Sequence, residues 1–229
     1  MRYFTKQWYK DGLKKAENTS QELERFMIEL EGCGKSLNID KVFEEFSEHG
    51  RSLEQETSPA WKEFWEKTQE MTARAISENE TSHEYEAHYR KIEPHLTKGI
   101  KDITDYYRHN MHDCIITGTS YSGEDFCISL EEYIRISDQD SLCSVDFANL
   151  EGEHFYLSKI IFTKAQVLKN ELSFTDYVWA YWRDVEIYLH PDGYEMHIMA
   201  DTQGVSKVDD QYSEIIVIFE NVAIKVTAK

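Results

Sequence analysis

The spacing of apolar positions changes once along this chain. Up to about Asn110 they recur every three or four residues, the period of one helix face; beyond it they alternate every second residue, as in strands with one buried face. The stretch Asn110–Leu130 carries the switch. The fold class this predicts is α+β: an N-terminal helical layer over residues 1–110, then a curved antiparallel sheet over residues 111–229 that packs against it.

In the first part, Thr5 is a candidate cap before Lys6, with Trp8, Tyr9 and Leu13 on one stripe. Thr19-Ser20 offers a second helix start, followed by Leu23, Phe26, Met27 and Leu30 and stopped at Gly32 and Gly34. Residues 38–48 repeat the pattern through Ile39, Val42, Phe43 and Phe46. Ser58-Pro59 then places a cap before a proline at the first helical position, where its missing N–H costs nothing, and Trp61, Phe64, Trp65, Thr68, Met71 and Ala75 follow on one face. A further helix runs through Tyr85, His88, Tyr89, Ile92 and Leu96, bent or shortened by Pro94, and a short one spans Ile100–Tyr107.

In the second part, Ser122-Gly123-Glu124-Asp125 reads as a hairpin turn between Cys114–Tyr121 and Phe126–Leu130. Val145 and Phe147 open a short strand, Phe155–Phe162 forms another, and residues 163–178 suit strand, helix or loop equally. Pro191-Asp192-Gly193 joins Tyr181–His190 to Tyr194–Asp201, its proline presetting the turn and its glycine taking positive φ. Val185, Ile187 and Leu189 alternate with Asp184, Glu186 and Tyr188, which predicts one buried face and one wet, acidic face. Ser213–Val226 is the last segment, bent at Asn221, with Ile215–Phe219 apolar enough for a central strand. About six strands result.

Charge sharpens this picture. The net charge is -18, but residues 1–110 hold 17 Lys/Arg against 22 Asp/Glu, whereas residues 111–229 hold 8 against 21. An acidic sheet half repels phosphate backbones and anionic lipid, so neither nucleic acid nor membrane is an expected partner; a basic protein is. Cys33, Cys114, Cys127 and Cys143 have no metal or redox spacing, and neither a leader pattern nor a membrane-length apolar run is present, so a cytoplasmic protein with free thiols is expected.

Candidate chemistry is sparse. The chain has no nucleophile elbow, no phosphate loop and no dinucleotide fingerprint, and no cofactor is expected. His109, His112 and Asp113 at the joint have spacing that suits a metal site or an oriented base, the one route to a metal-dependent hydrolase. Against this, Asp113 can simply turn the chain into its first strand. Glu84 and His88 share a helical face, which an ordinary surface pair explains. Asp184, Glu186, Glu195, Asp201, Asp209 and Asp210 lack calcium-loop order, so they read as a solvated acidic face. The function expected is a non-enzymatic binding protein presenting Asp184, Glu186 and Glu195 to a basic protein partner. A symmetric dimer through the aromatic surface is a third, structural possibility.

Three segments, Met1-Arg-Tyr-Phe-Thr-Lys-Gln-Trp-Tyr9, Met111-His-Asp-Cys-Ile115 and Trp182–Ile187 with Glu195-Met-His-Ile198 and Ser213–Phe219, resemble a bacterial family without assigned activity. The resemblance spans nearly the whole chain. It implies a bacterial, cytoplasmic origin and assigns no catalytic residue. The His112-Asp113 start of the sheet is also similar to small bacterial immunity-type proteins, which implies toxin neutralisation as one form of partner binding.

Overall fold

The structure, a computed structural model, describes residues 2–32, 59–77, 80–104, 114–134, 142, 144–147, 150, 152, 154–174, 179–202, 204–208 and 210–228. It is α+β, with helices first and an antiparallel sheet after, and the change falls between Thr104 and Ile115. The compact units divide elsewhere. Gln7–Glu80 forms one, while Met1–Lys6 joins Thr81–Lys229 in the other, so two of the helices expected in a separate layer belong with the sheet.

The helical unit contains most of α1 (Lys6–Gly32) and α2 (Pro59–Ser77). Leu30 is its buried centre, packed by Phe26, Met27 and Phe64. The helix start expected at Thr19-Ser20 is absent, because α1 runs straight through it. The Thr19 hydroxyl donates back to the Lys15 carbonyl at 3.0 Å, bonding within the helix it was expected to begin. Trp65, placed with Phe64 on the apolar face by spacing, is 46% exposed. The expected helix over residues 38–48 lies outside the described residues.

In the sheet unit, α3 (Glu80–Ile92) gives way to a 3₁₀ turn at Glu93–His95, where Pro94 stops it, and α4 (Lys98–Thr104) follows. The strands are β1 (Ile115–Ser122), β2 (Asp125–Ile134), β3 (Phe155–Thr163), β4 (Gln166–Asn170), β5 (Ala180–His190), β6 (Gly193–Thr202), β7 (Tyr212–Phe219) and β8 (Asn221–Ala228). They form one open sheet in the order β4-β7-β6-β5-β1-β2-β3-β8. Eight strands replace the expected six: the ambiguous stretch contains β4, and the last segment breaks at Glu220 into β7 and β8. No strand forms at Val145 and Phe147. Val145 N–H donates to Leu142 in a turn, and both side chains pack on the core.

β3 continues into β4 just as β7 continues into β8, and the two runs pair throughout, β3 with β8 and β4 with β7. Both edges of the sheet are thus the two arms of one bent ribbon, pinned at the bend by Glu220 N–H donating to the Thr163 carbonyl. This curvature brings Phe162 of β3 to 5.0 Å from Phe219 of β7, ring to ring, and all eight strands contribute to one core that includes Trp182, Ile198 and Ile215. Apolar burial on that concave side is the main stabilising term. β5 pairs with β1 over only two residues, Ala180 and Tyr181. Its remaining edge is satisfied at Ile187 by α3, where the N–H donates to the Tyr85 hydroxyl and the carbonyl meets His88 Nε2 at 2.9 Å.

Candidate functional site

Alternation puts Ile187 of β5 in the core with Val185 packed against it, but Leu189, expected on the same buried face, is 50% exposed where the strand nears its turn, and the opposite face has a different environment from the one expected. Glu186 and Tyr188 point away from the core, as expected, yet Glu186 has no exposed surface and Tyr188 only 4%. The wet acidic face is therefore corrected: a second layer covers it, made by residues 2–4 and α3.

The segment before α1 bends at Tyr3 and Phe4, and Thr5 N–H donates to the Tyr3 carbonyl. The bend turns three successive amides toward one point, the anion-binding arrangement of a backbone nest. Arg2 N–H donates to Glu186 Oε2 at 2.7 Å, while Tyr3 and Phe4 donate to Oε1 at 2.9 and 2.6 Å. The Tyr188 hydroxyl donates to Oε2 as well. Burial and the adjacent Glu186 carboxylate both push the Tyr188 phenol up, so it stays a donor. Burial does the same to Tyr85. Aromatic groups wall the clamp: Arg2 lies 4.1 Å over the Tyr188 ring, Phe4 meets Tyr85 edge-on, and His88 lies 5.0 Å from Tyr188. Four donors on two carboxylate oxygens saturate Glu186, which therefore cannot serve as a surface contact.

The other expected binding residues are also engaged or shielded. Glu195 is hydrogen-bonded to His197 Nε2, and Asp184 is half-buried. Asp201 receives Arg183, and Asp210 accepts the Tyr212 amide. Asp209 and the trio His109, His112 and Asp113 lie outside the described residues, as do Cys33 and Cys143. Cys114 and Cys127 are buried and form no disulfide. Among the described residues no group of three His, Cys, Asp or Glu side chains is arranged to hold a metal, and no helix is long and apolar enough to cross a membrane.

A second polar cluster, which residue patterns did not single out, extends the same attachment. Lys6 pairs with Glu171 at 2.8 Å, Lys169 bridges Glu171 and Glu214, and Glu214 N–H donates to Glu171. Burial alone would raise both carboxyls. The hydrogen-bonded ammonium groups, Lys6 and Lys169 at Glu171 and Lys169 at Glu214, outweigh it and hold both below the usual range. Depressed folded values mean stability that is present above the unfolded carboxylate value of about 4.3 and lost as pH falls through the lower folded ones. Lys169→Met is therefore expected to move the acid-unfolding midpoint to higher pH. An acid titration followed by circular dichroism checks this, and superimposed curves would remove the bridge from the account.

Four turns meet at one end of the sheet and bring acidic residues together there. The β3–β4 turn donates Ala165 N–H to the Glu124 carbonyl and Lys164 N–H to Asp125, tying it to the β1–β2 turn. Lys164 Nζ reaches Glu220 at 2.8 Å, and Gly193, beside Asp192, abuts the backbone of Phe219 and Glu220. Glu124, Asp125, Asp192 and Glu220 thus share this end with the ammonium of Lys164. Comparison with family models, curated proteins and solved structures returned no match.

Proposed function

We propose that this chain is a non-enzymatic protein-binding protein whose acidic sheet surface engages a basic protein partner; toxin neutralisation is one concrete form of that role. The observation that carries the reading is the gathering of Glu124, Asp125, Asp192 and Glu220 on neighbouring turns at one end of the sheet. Acids on the face of β5 and β6 are spent on internal partners, so the surface field of this half concentrates where its turns converge. Such a field accelerates encounter with a cationic partner and fades with salt.

The test uses an immobilised decalysine peptide as a basic probe. Reversing Glu124, Asp192 and Glu220 to lysine is expected to weaken binding about tenfold and flatten its salt dependence. An equal charge change at the exposed Glu84, Glu131 and Asp146 is expected to alter it about twofold or less. Equal losses from both sets would mean that net charge alone acts, and the turn-end reading would fall.

A further inference from the structure

Glu186, Tyr188 and Glu214 lie on the side of the sheet facing away from the core, yet each is at most 9% exposed. Glu186 owes its satisfaction to residues 2–4, and the flanking Glu171–Glu214 cluster is tied to Lys6. This strap is recognised in two ways. Backbone amides meet Glu186 regardless of residue type; the Arg2 cation, the Phe4 ring and the Lys6 ammonium add sequence preference. Those are the features of a peptide-docking site, main chain for affinity and side chains for selectivity.

The strap is covalently remote from the surface that it occupies. Its bonds to Glu186 span 182 to 184 residues, and its link back to the sheet unit passes through the separate compact unit Gln7–Glu80. If the strap leaves, the buried Glu186 carboxylate keeps the Tyr188 hydroxyl but loses its three amide donors, and a bent segment with three converging amides must replace it. A second copy of this chain carries an identical segment. We propose that the outward surface of β5 and β6 around Glu186 is a docking site filled by the chain's own residues 2–6 in the monomer, and by the strap of a second copy when two chains exchange them. The exchange is reciprocal and makes a two-fold dimer without any new kind of contact. Attachment in cis gives the chain's own strap a high effective concentration, so exchange belongs to high protein concentration or to chains whose own pairing is weakened. The acidic turn end takes no part, so failure of either reading leaves the other standing.

Complementation tests it with two full-length variants. Glu186→Gln keeps a good strap and a weak clamp; the double variant Phe4→Ala/Lys6→Glu keeps a good clamp and a weak strap. Neither alone holds a matched pair, but the mixture does. Light scattering after size exclusion is expected to find a 1:1 heterodimer, associating about tenfold more tightly than either variant with itself. A mixture that runs as the sum of its parts, or equal self-association of one variant, overturns the proposal. Should Glu186→Gln fail to fold, the peptide Arg-Tyr-Phe-Thr-Lys is titrated into the weak-strap variant. Binding about tenfold tighter than a scrambled peptide supports exchange, and no difference overturns it.

Discussion

Replacing Glu186 with alanine is expected to be among the most damaging single changes in the sheet unit, lowering stability by roughly 3–5 kcal/mol. The variant leaves the amides of Arg2, Tyr3 and Phe4 and the Tyr188 hydroxyl facing a void where four hydrogen bonds had converged. Nothing apolar is gained, because the surroundings are shaped for a carboxylate, and every donor that stays buried bears its full desolvation cost. The strap can escape by undocking, which limits the loss to what docking contributes and makes that contribution measurable. Urea unfolding gives the size of the effect, and hydrogen exchange gives its place: protection of the Tyr3 and Phe4 amides should vanish before that of the β6 and β7 amides. Unchanged protection at Tyr3 and Phe4 would show that Glu186 does not hold them.

Gly193→Ala is expected to cost about 3 kcal/mol or more, for a different reason. Gly193 sits at φ +128°, where side chains are strained, and an added Cβ would lie 2.3 Å from the Phe219 carbonyl oxygen and 3.0 Å from Glu220 Cα. The obstruction is main chain and cannot rotate away. Phe219 is paired with Tyr194, and Glu220 is tied to Thr163, so relief must displace the bend of the ribbon itself. For a protein of this size the melting temperature should fall by about 6–12 °C. A drop of less than about 2 °C would mean that the hairpin re-forms around the methyl at little cost.

These two residues mark where sequence patterns succeed and where they stop. Gly193 was legible because a Pro-Asp-Gly turn between alternating segments has a local conformational cause, and β5, β6 and the helix starting at Pro59 were legible for similar reasons. Alternation also put Glu186 on the correct face. What it could not convey was the second layer on that face, since the groups that hold Glu186 are mainly backbone amides more than 180 residues away and an N–H has no residue-type signature. The same blindness to tertiary partners explains Thr19, whose hydroxyl bonds backward inside α1, and Trp65, whose spacing matched an apolar face from which Phe64 packs toward Leu30. β4 was hidden because Lys169 and Glu171 look like surface charges until Glu214 and Lys6 are placed beside them. The exposed acids at the turn end were individually visible, but their convergence depends on four turns meeting, which no linear spacing encodes.

The strap also imposes an order on biosynthesis. Residues 2–4 are made 182 to 184 residues before the carboxylate that receives them. At ribosomal rates of about 5–20 residues per second the nascent amides wait roughly 10–40 s for Glu186. Helices α1 and α2, both complete by Ser77, can form during that delay, whereas the outer layer of the sheet is sealed only after β5 emerges. Residues 2–4 are thus among the last to find their place, and while they wait the chain carries a binding segment with no receptor of its own.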